Sequence, residues 1–401
     1  MKSQSLKYAV VLGLITAVGP FAIDMYLPAL PSISADLGAS TAATQMTLMV
    51  FFVTFGVAQL AYGPISDMIG RKKPLYFGLA VFALGGIGSG LAPSIEWLIF
   101  FRFIQGIGAA AAMVIPRAVI RDLHTGVEAA RLMSTVMLVF SVAPILAPLI
   151  GSAVIVPFGW RAVFVAITLV AILGIVLVAL ALPETLRPEK RSRFSLATVR
   201  SSFATLFRDP RFLGLTFIGG LGLASFFAFI ANASFIYIDH YGMTPVQFSI
   251  AFSVNAVGFI GASQFAAKLA GRYGFNRVIT TAVTSYAVLS LVLLAVTAMG
   301  FDSLPVLMVG LFLAFSCLGL VIPSSMVLAL EEHGPIAGVA SALGGTLQFL
   351  TGAVMITIAS LVFDGTSLPM VAIIAACSVG AFTLAMLTLR RRDQPVAEPA
   401  E

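Results

Sequence analysis

The chain has 401 residues, of which 59% are hydrophobic and only 10% are charged. Soluble domains carry about 25% charged residues, so this composition, with a mean hydropathy of +1.04, excludes an ordinary soluble fold. The net charge of +6 would suit nucleic acid only if the basic residues covered one face of a soluble domain, and here they lie between apolar runs. We therefore predict an all-α integral membrane protein that contacts lipids and binds no nucleic acid.

Apolar runs of about 20 residues, each long enough to cross roughly 30 Å of hydrocarbon, occur twelve times along the chain. The first run is longer than the apolar region of a signal peptide and is followed by similar runs, so we expect it to be retained as a span. The predicted spans are 8–30, 42–66, 74–92, 95–118, 132–156, 160–182, 211–237, 246–268, 278–299, 304–330, 335–362 and 367–389.

The basic residues orient these spans. When the runs alternate through the membrane, all of the 23 Lys and Arg residues except Arg102 and Arg161 fall on one side or at its helix ends. Cytoplasmic loops are enriched in Lys and Arg. The sequence therefore predicts a multi-pass protein with both termini in the cytoplasm.

The longest polar stretch divides the runs six and six. We interpret residues 183–210 as a cytoplasmic linker between an N-terminal bundle (1–182) and a C-terminal bundle (211–392), followed by a tail (393–401). A faint repeat relates the halves, since the segment around Gly70 recurs around Gly274, about 204 residues later. Two pseudo-symmetric six-helix bundles of parallel topology are typical of secondary transporters with a binding site between the halves.

Asp24 is the only carboxylate placed well within a predicted span. A charged side chain at membrane depth costs roughly 2.5 to 3.5 kcal/mol on insertion scales, and such residues usually handle ions, protons or cationic ligands. One carboxylate can bind a proton or a cationic or hydrogen-bonding substrate, but not both equally well. Asp24 is therefore our candidate for both proton coupling and substrate binding.

Arg102 is the candidate partner of Asp24. Both residues lie roughly 10 Å below the outer surface, at about 1.5 Å per residue along their spans. Because Arg102 cannot lose its proton, we expect it to pair with Asp24 directly or through water. A fixed structural ion pair is the alternative. Further candidates for substrate binding are the polar side chains Tyr26, Gln105, Asn232, Tyr237 and Gln348.

Enzymatic function is not indicated. The three histidines have no metal-ligand spacing, and no glycine-rich phosphate loop occurs. The two cysteines, Cys317 and Cys377, lie in apolar runs and suggest packing. No selectivity filter of a channel is visible. We expect no catalytic residue, no metal site and no cofactor, with the proton gradient as the energy source.

The segment after the second run resembles the signature loop of the major facilitator superfamily through Gly63, Asp67, Gly70 and Arg71. Gly70 would permit a tight reversal of the chain. Asp67 could face the N-terminus of the eleventh helix near Gly334 and close the cytoplasmic side in one state. A solvated loop acid is the alternative.

Two further motifs support this resemblance. In the fourth run, Arg102 and Gln105 followed by small residues resemble a superfamily motif linked to proton coupling. In the fifth run, Pro144, Pro148 and Gly151 resemble the motif of the superfamily's antiporters. Prolines also occur in other membrane helices, so the second motif keeps a purely structural alternative.

Finer resemblance comes from residues 23–31, 159–161 and 182–186, which are similar to the bicyclomycin and chloramphenicol resistance subfamily of drug:proton antiporters. The resemblance implies a monomeric efflux pump of the bacterial inner membrane that exports drugs or other small amphipathic molecules by alternating access. Proton-coupled uptake or export of a specific metabolite or sugar is the alternative function.

Overall fold

The computed structural model describes residues 3–124, 126–191 and 196–389. Predictions that concern Lys2, Arg193, residues 390–392 and the tail 393–401 lie outside the described residues. Helices make up nearly all of the described chain, in which no β-strand occurs. The predicted all-α class is confirmed.

The first half begins with a broken span, in which α1 and α2 are joined by a 3₁₀ turn (Leu27–Ala29). Five further long helices follow. The elements are α1 (Ser3–Asp24), α2 (Leu30–Asp36), α3 (Thr41–Ile69), α4 (Lys72–Gly90), α5 (Ile95–Leu123), α6 (Gly126–Phe158) and α7 (Arg161–Ala181).

The second half begins after a short helix, α8, and its first long helix ends in a π-helical turn (Phe235–His240). The elements are α8 (Leu196–Arg208), α9 (Pro210–Ser234), α10 (Pro245–Ser263), α11 (Ala266–Tyr273), α12 (Phe275–Ala298), α13 (Leu304–Glu331), α14 (Ala337–Val362) and α15 (Leu368–Leu389).

Eleven helical segments of the described chain are long and apolar enough to cross a membrane. Helix α4 is less apolar because its 19 residues include five glycines and two lysines. It nevertheless packs against α5 and α7 as a full-length neighbour, and its glycines allow the close approach that helices use in membranes. With α4 as the twelfth span, the fold is the predicted twelve-helix membrane fold.

Several predicted span ends differ from the observed helix ends, among them the end of α5 and the start of α6. The first span extends to Asp36 instead of residue 30, because α2 continues it beyond the break. The stretch 183–210, predicted as a linker, contains the helix α8. That helix buries Leu206 and leaves Arg200 and Arg208 exposed, an amphipathic pattern in a segment too polar to be recognised as a span. The division into bundles at 182 and 211 stays a prediction.

The two halves meet mainly where α3 packs on α14 and α6 packs on α10. Thr346 of α14 donates to the Gly56 carbonyl of α3 at 2.7 Å. Ser249 and Ser253, one turn apart in α10, donate to the carbonyls of Pro148 and Ile145 in α6, each at 2.8 Å.

The ends of the helices differ in charge. Arg71, Lys72, Arg272 and Arg277 lie beside the α3–α4 and α11–α12 connections, and we call this end the basic side. Towards the basic side α6 and α10 separate, leaving a groove of about 540 Å³ between them that Met133, Met137 and Ile260 help to line.

Candidate functional site

The break in the first span lies at Asp24, where α1 ends. Pro28 has no N–H group, so it cannot bond to the Asp24 carbonyl one turn earlier as a helix requires. The chain tightens instead, and the Tyr26 N–H donates to the Ile23 carbonyl at 3.2 Å. Sequence thus fixes the break beside the acid.

The Asp24 side chain is buried, with 6% of its surface exposed. Among the described residues it has no hydrogen-bond donor and no ion-pair partner. Buried carboxylates normally have such partners. A buried acid without one is available to a ligand, a proton or a rearranged side chain.

Arg102 lies on α5 and is fully buried. Its Nη1 donates to the Ala22 carbonyl of α1 at 3.2 Å and to Gln105 Oε1 at 2.6 Å. Its Cζ lies 4.3 Å from the ring centre of Phe51 and 4.8 Å from that of Tyr26. Two aromatic faces therefore stabilise the cation.

The direct ion pair between Arg102 and Asp24, one of the two arrangements expected, is not formed in the described structure. Arg102 reaches α1 two residues before the acid, so the predicted common depth agrees with the contact to Ala22. Its Nε and Nη2 atoms are buried without a partner. The guanidinium thus has N–H groups without an acceptor, and two residues beyond its contact on α1 lies an acid that accepts no hydrogen bond from the described residues.

Tyr26 and Gln105 complete this group, which we call the first-half polar cluster (Asp24, Tyr26, Arg102 and Gln105). The Tyr26 hydroxyl shares a hydrogen bond with Thr47 Oγ1 at 2.8 Å, and its ring lies 5.4 Å from that of Phe164. Gln105 holds Arg102 through its Oε1, while its Nε2 is buried without a partner.

Small residues after Gln105 explain why α5 can bury an arginine. A Cβ at Gly106 would lie 2.6 Å from the Phe51 carbonyl of α3, and one at Gly108 would lie 2.3 Å from the Phe82 nitrogen of α4. Helices α3, α4 and α5 therefore approach more closely than larger side chains allow.

Asn232, predicted to bind substrate, connects the halves in this structure. Its Oδ1 accepts a hydrogen bond from Gln45 Nε2 of α3 at 2.9 Å, and Gln45 Nε2 also donates to the Ala231 carbonyl at 3.1 Å. Its own Nδ2 donates to the Ala228 carbonyl at 2.8 Å. Gln45 was not among the predicted residues, because an isolated Gln in a span gives no sign of its partner.

Tyr237 and Gln348 lie inside the second half. Tyr237 packs on Phe229 and Phe248, and its side chain is fully buried. Gln348 Nε2 lies 3.5 Å from the Thr216 carbonyl. Neither residue contacts the first-half polar cluster in this structure, so their role in binding substrate stays a prediction.

Aromatic side chains fill the space between the halves near α3, α9 and α14. Phe52 stacks on Phe227 with ring centres 3.9 Å apart, and Phe349 lies 4.8 Å from Phe55 and 5.4 Å from Phe227. The sequence indicated Phe227 as one of the aromatic residues of an apolar cavity, but it did not distinguish Phe52, Phe55 and Phe349 among 32 phenylalanines. Only their position on facing helices distinguishes them.

On the basic side, the signature loop forms a buried charge network around Arg71. Its Nε and Nη2 donate to both oxygens of Asp122 at 2.8 and 3.2 Å, and its Nη1 contacts Asp67 and Ser66. Asp67, about half exposed, pairs with Arg71 instead of with the N-terminus of α14. The predicted closing contact of Asp67 is therefore not formed in this structure.

Glu184 completes that network. Its carboxylate accepts from the N–H groups of Arg71 at 2.9 Å and Lys72 at 3.1 Å at the start of α4. Partial burial opposes ionisation, but these N–H donors, with that of Leu186, hold the pKa of Glu184 below its ordinary value of 4.5. Gly70 makes room for it, with φ of +97° and a would-be Cβ only 2.6 Å from Glu184 Oε2.

The antiporter-like motif lies where α6 contacts both α1 and α10. A Cβ at Gly151 would lie 2.3 Å from the Met25 carbonyl, so this glycine permits α6 to touch the break beside Asp24. The carbonyl of Pro148 accepts from Ser249 of α10. Pro144 lies one turn earlier in the same unbroken helix.

The described residues contain no group of three or more His, Cys, Asp or Glu side chains that could hold a metal ion. Eleven apolar spans with α4 as the twelfth, together with a buried acid at a helix break, are features of membrane transporters. The family model of the Major Facilitator Superfamily matches residues 12–356. The chain belongs to this superfamily and is a transporter, not an enzyme.

Relatives extend over nearly the whole chain. It is 35% identical to an uncharacterized MFS-type transporter, YdgK of Bacillus subtilis (strain 168), over 98% of both chains. It is 32% identical to a bicyclomycin resistance protein homolog of Haemophilus influenzae over 93% of both chains. The predicted resemblance to the bicyclomycin resistance subfamily is confirmed.

Solved structures support the fold. The D-xylose-proton symporter superposes with a TM-score of 0.73 at 18% identity, covering 95% of this chain and 96% of its own. A likeness at this identity concerns the fold and says nothing of the substrate.

Proposed function

We propose that this protein exports drugs or other small amphipathic molecules across the bacterial inner membrane in exchange for protons, with both termini in the cytoplasm. The observation that carries the proposal is the buried Asp24 carboxylate, which lies at the break of the first span without a hydrogen-bond partner among the described residues. The relative named for bicyclomycin resistance supports the export of an antibiotic.

Asp24 would couple the two fluxes by competition. A proton from outside and a cationic or hydrogen-bonding substrate from inside would both bind the same carboxylate, so that each displaces the other. Arg102, held by Ala22 and Gln105 with two donors unused, would turn towards Asp24 when the acid is ionised. Arg102 would then pair with Asp24 until a substrate or a proton displaces it.

The surrounding packing supports a rocking movement at this point. Gly151 contacts the helix break at Met25, and the same helix, α6, contacts α10 through Ser249 and Ser253. A shift of the second half against α6 would therefore be transmitted to the segment that carries Asp24. The aromatic residues between the halves offer an apolar surface with few polar groups, which suits amphipathic substrates.

The proposal is tested in everted membrane vesicles and with purified protein. In vesicles with an acidic interior, we expect bicyclomycin or chloramphenicol to accumulate, and Asp24→Asn to reduce this accumulation by at least about tenfold, since intramembrane acids mostly serve transport pathways. Proton release on substrate binding to the purified protein should disappear in the same variant.

Asp36→Asn is the matched control. Asp36 ends the same span, is exposed at 48% of its side chain and pairs with Arg161, so its loss should leave both readouts nearly unchanged. Proton release that persists in Asp24→Asn would reject Asp24 as the coupling acid. If protons leaving the acidic interior instead carried substrate out of the vesicles, efflux would be rejected in favour of a symporter.

A further inference from the structure

A groove of about 390 Å³ lies on the second half between α11, α12 and α13. Helix α12 has its main contacts with α11, α13 and α15, all within the second half, so the groove faces the bilayer and not the path between the halves. Its walls are mostly apolar and include Leu269, Val278 and Leu320. The volume is typical of a site for a small molecule.

A cation lies at the mouth of this groove. Arg277 is in the first turn of α12 on the basic side, is exposed and lines the groove. It has no ion pair or hydrogen bond with the described residues, and the groove lining contains no acid. Lys268 and Arg272 of the adjacent α11 add positive charge. A guanidinium with free donors matches the two oxygens of a phosphate.

Two hydroxyl groups follow Arg277 into the groove. Thr281 lies about 6 Å deeper along α12 and Ser285 about 12 Å deeper, at 1.5 Å per residue. Neither hydroxyl has a hydrogen bond within the described structure, whereas Thr284 of the same helix donates to the Thr280 carbonyl at 2.7 Å. Hydroxyls in a membrane helix usually bond to the preceding turn in that way. Thr281 and Ser285 are thus free to donate to a ligand.

The groove therefore presents a cation at its mouth and two free hydroxyls deeper along α12, with apolar residues beside all three. These groups match the phosphate, the ester oxygens and the acyl chain of a phospholipid. Tyr273, about half exposed at the rim, suits the membrane interface, where tyrosine is enriched. A free phosphate would use only the cation, and an uncharged apolar molecule only the wall.

We propose that this groove is a binding site for one anionic phospholipid of the leaflet on the basic side. The phosphate binds Arg277, the ester oxygens accept from Thr281 and Ser285, and one acyl chain lies along Leu269, Val278 and Leu320. This site is separate from the first-half polar cluster, and it does not depend on the direction or substrate of transport.

Cys317 permits a direct test, because it lines the groove while the other cysteine, Cys377, is 1% exposed and lies in the core. In a Cys377→Ala background, purified and delipidated protein is treated with N-ethylmaleimide, and the rate of Cys317 modification is measured. Phosphatidylglycerol should slow modification. Phosphatidylcholine with the same chains and inorganic phosphate alone should not.

Arg277→Ala is the decisive variant. The phosphatidylglycerol concentration that gives half-maximal protection should rise by about tenfold, as expected for the loss of a hydrogen bond to a charged group, and Arg277→Lys should fall between the two. Arg208→Ala is the matched control, because Arg208 is another exposed arginine near the basic side but lies on α8. In this variant phosphatidylglycerol should protect Cys317 at the same concentration as in the wild type.

Four results would overturn the proposal. Equal protection by both lipids would mean that the groove selects no headgroup, and protection by inorganic phosphate alone would mean that it binds no lipid. Protection by bicyclomycin in place of phosphatidylglycerol would make the groove a drug site. Unchanged protection in Arg277→Ala would remove the arginine from the site.

Discussion

The two halves share one helical plan but differ in how they use charge. The first half buries Arg102 and Asp24 in its core and Arg71 in its basic-side loop. In the second half, the residue 204 positions after Asp24 is Ala228, and the loop around Gly274 has open space where the first half has Glu184. The second half instead joins the start of α9 to the segment that follows α13 by a partly buried pair, Asp209 with His333, and a more exposed pair, Arg211 with Glu332. The repeated fold thus tolerates charge without requiring it, and the buried charges of the first half are the features to test for function.

The largest difference should appear when one arginine is removed from each of the two basic-side loops. Arg71→Ala leaves Asp122 partly buried without its bidentate partner, which should lower the free energy of unfolding by about 3 kcal/mol or more. Arg272→Ala removes an exposed side chain whose described contact is with the ring of Tyr273, and should cost less than about 0.5 kcal/mol. Thermal unfolding of the purified variants measures both, and equal losses would show that the two loops are equivalent.

A carboxylate placed in the second half should be harmful. Ala228 is fully buried and its carbonyl accepts from Asn232, so Ala228→Asp should lower stability by about 2.5 to 3.5 kcal/mol. Ala228→Ser controls for size and polarity and should be tolerated far better. Normal stability of Ala228→Asp would mean that either half can hold a buried acid, and that the position of Asp24 is not special.

Glycine substitutions should separate backbone strain from loss of the Glu184 contact. Gly70 and Gly274 have φ values of +97° and +80°, so alanine is strained at both and should cost about 1 to 3 kcal/mol. At Gly70 the new Cβ would also displace Glu184, whereas the surroundings of Gly274 are open. We therefore expect Gly70→Ala to be the more destabilising by about 1 kcal/mol, as measured by thermal unfolding. Equal effects would mean that the Glu184 contact does not contribute measurably to stability.

The smallest expected effect is the pH dependence of that contact. Because the pKa of Glu184 is lower in the folded protein than its ordinary value of 4.5, its contribution is complete above pH 4.5 and is lost as the pH falls through the folded pKa. Glu184→Gln should therefore lower stability near pH 7 by about 0.3 to 1 kcal/mol. The difference from the wild type should shrink below pH 4.5. A constant difference down to pH 3 would exclude the charge of Glu184 as its origin.

Much of the candidate site was predictable, although not its contacts. Asp24, Tyr26, Arg102 and Gln105 were all selected from the sequence and are close together in the structure. The partner of Arg102 was not predictable, because the rings of Phe51 and Tyr26 and the carbonyl of Ala22 resemble any other apolar positions along a helix. Asp122 and Glu184, which bind Arg71 from distant segments, were likewise not identified as its partners.

The amino-acid sequence by itself determined the number, length and order of the spans, because each helix in a bilayer must satisfy its own backbone and so needs about 20 apolar residues in a row. It also determined the break beside Asp24, because Pro28 lacks the N–H group that would continue the helix. Only the tertiary structure decided which groups meet, since contacts such as Gln45 with Asn232 or Gly151 with Met25 depend on the positions of whole helices. The tertiary structure likewise decided that Arg102 contacts aromatic rings and not Asp24, because helix packing sets which side chains lie within reach of a buried cation.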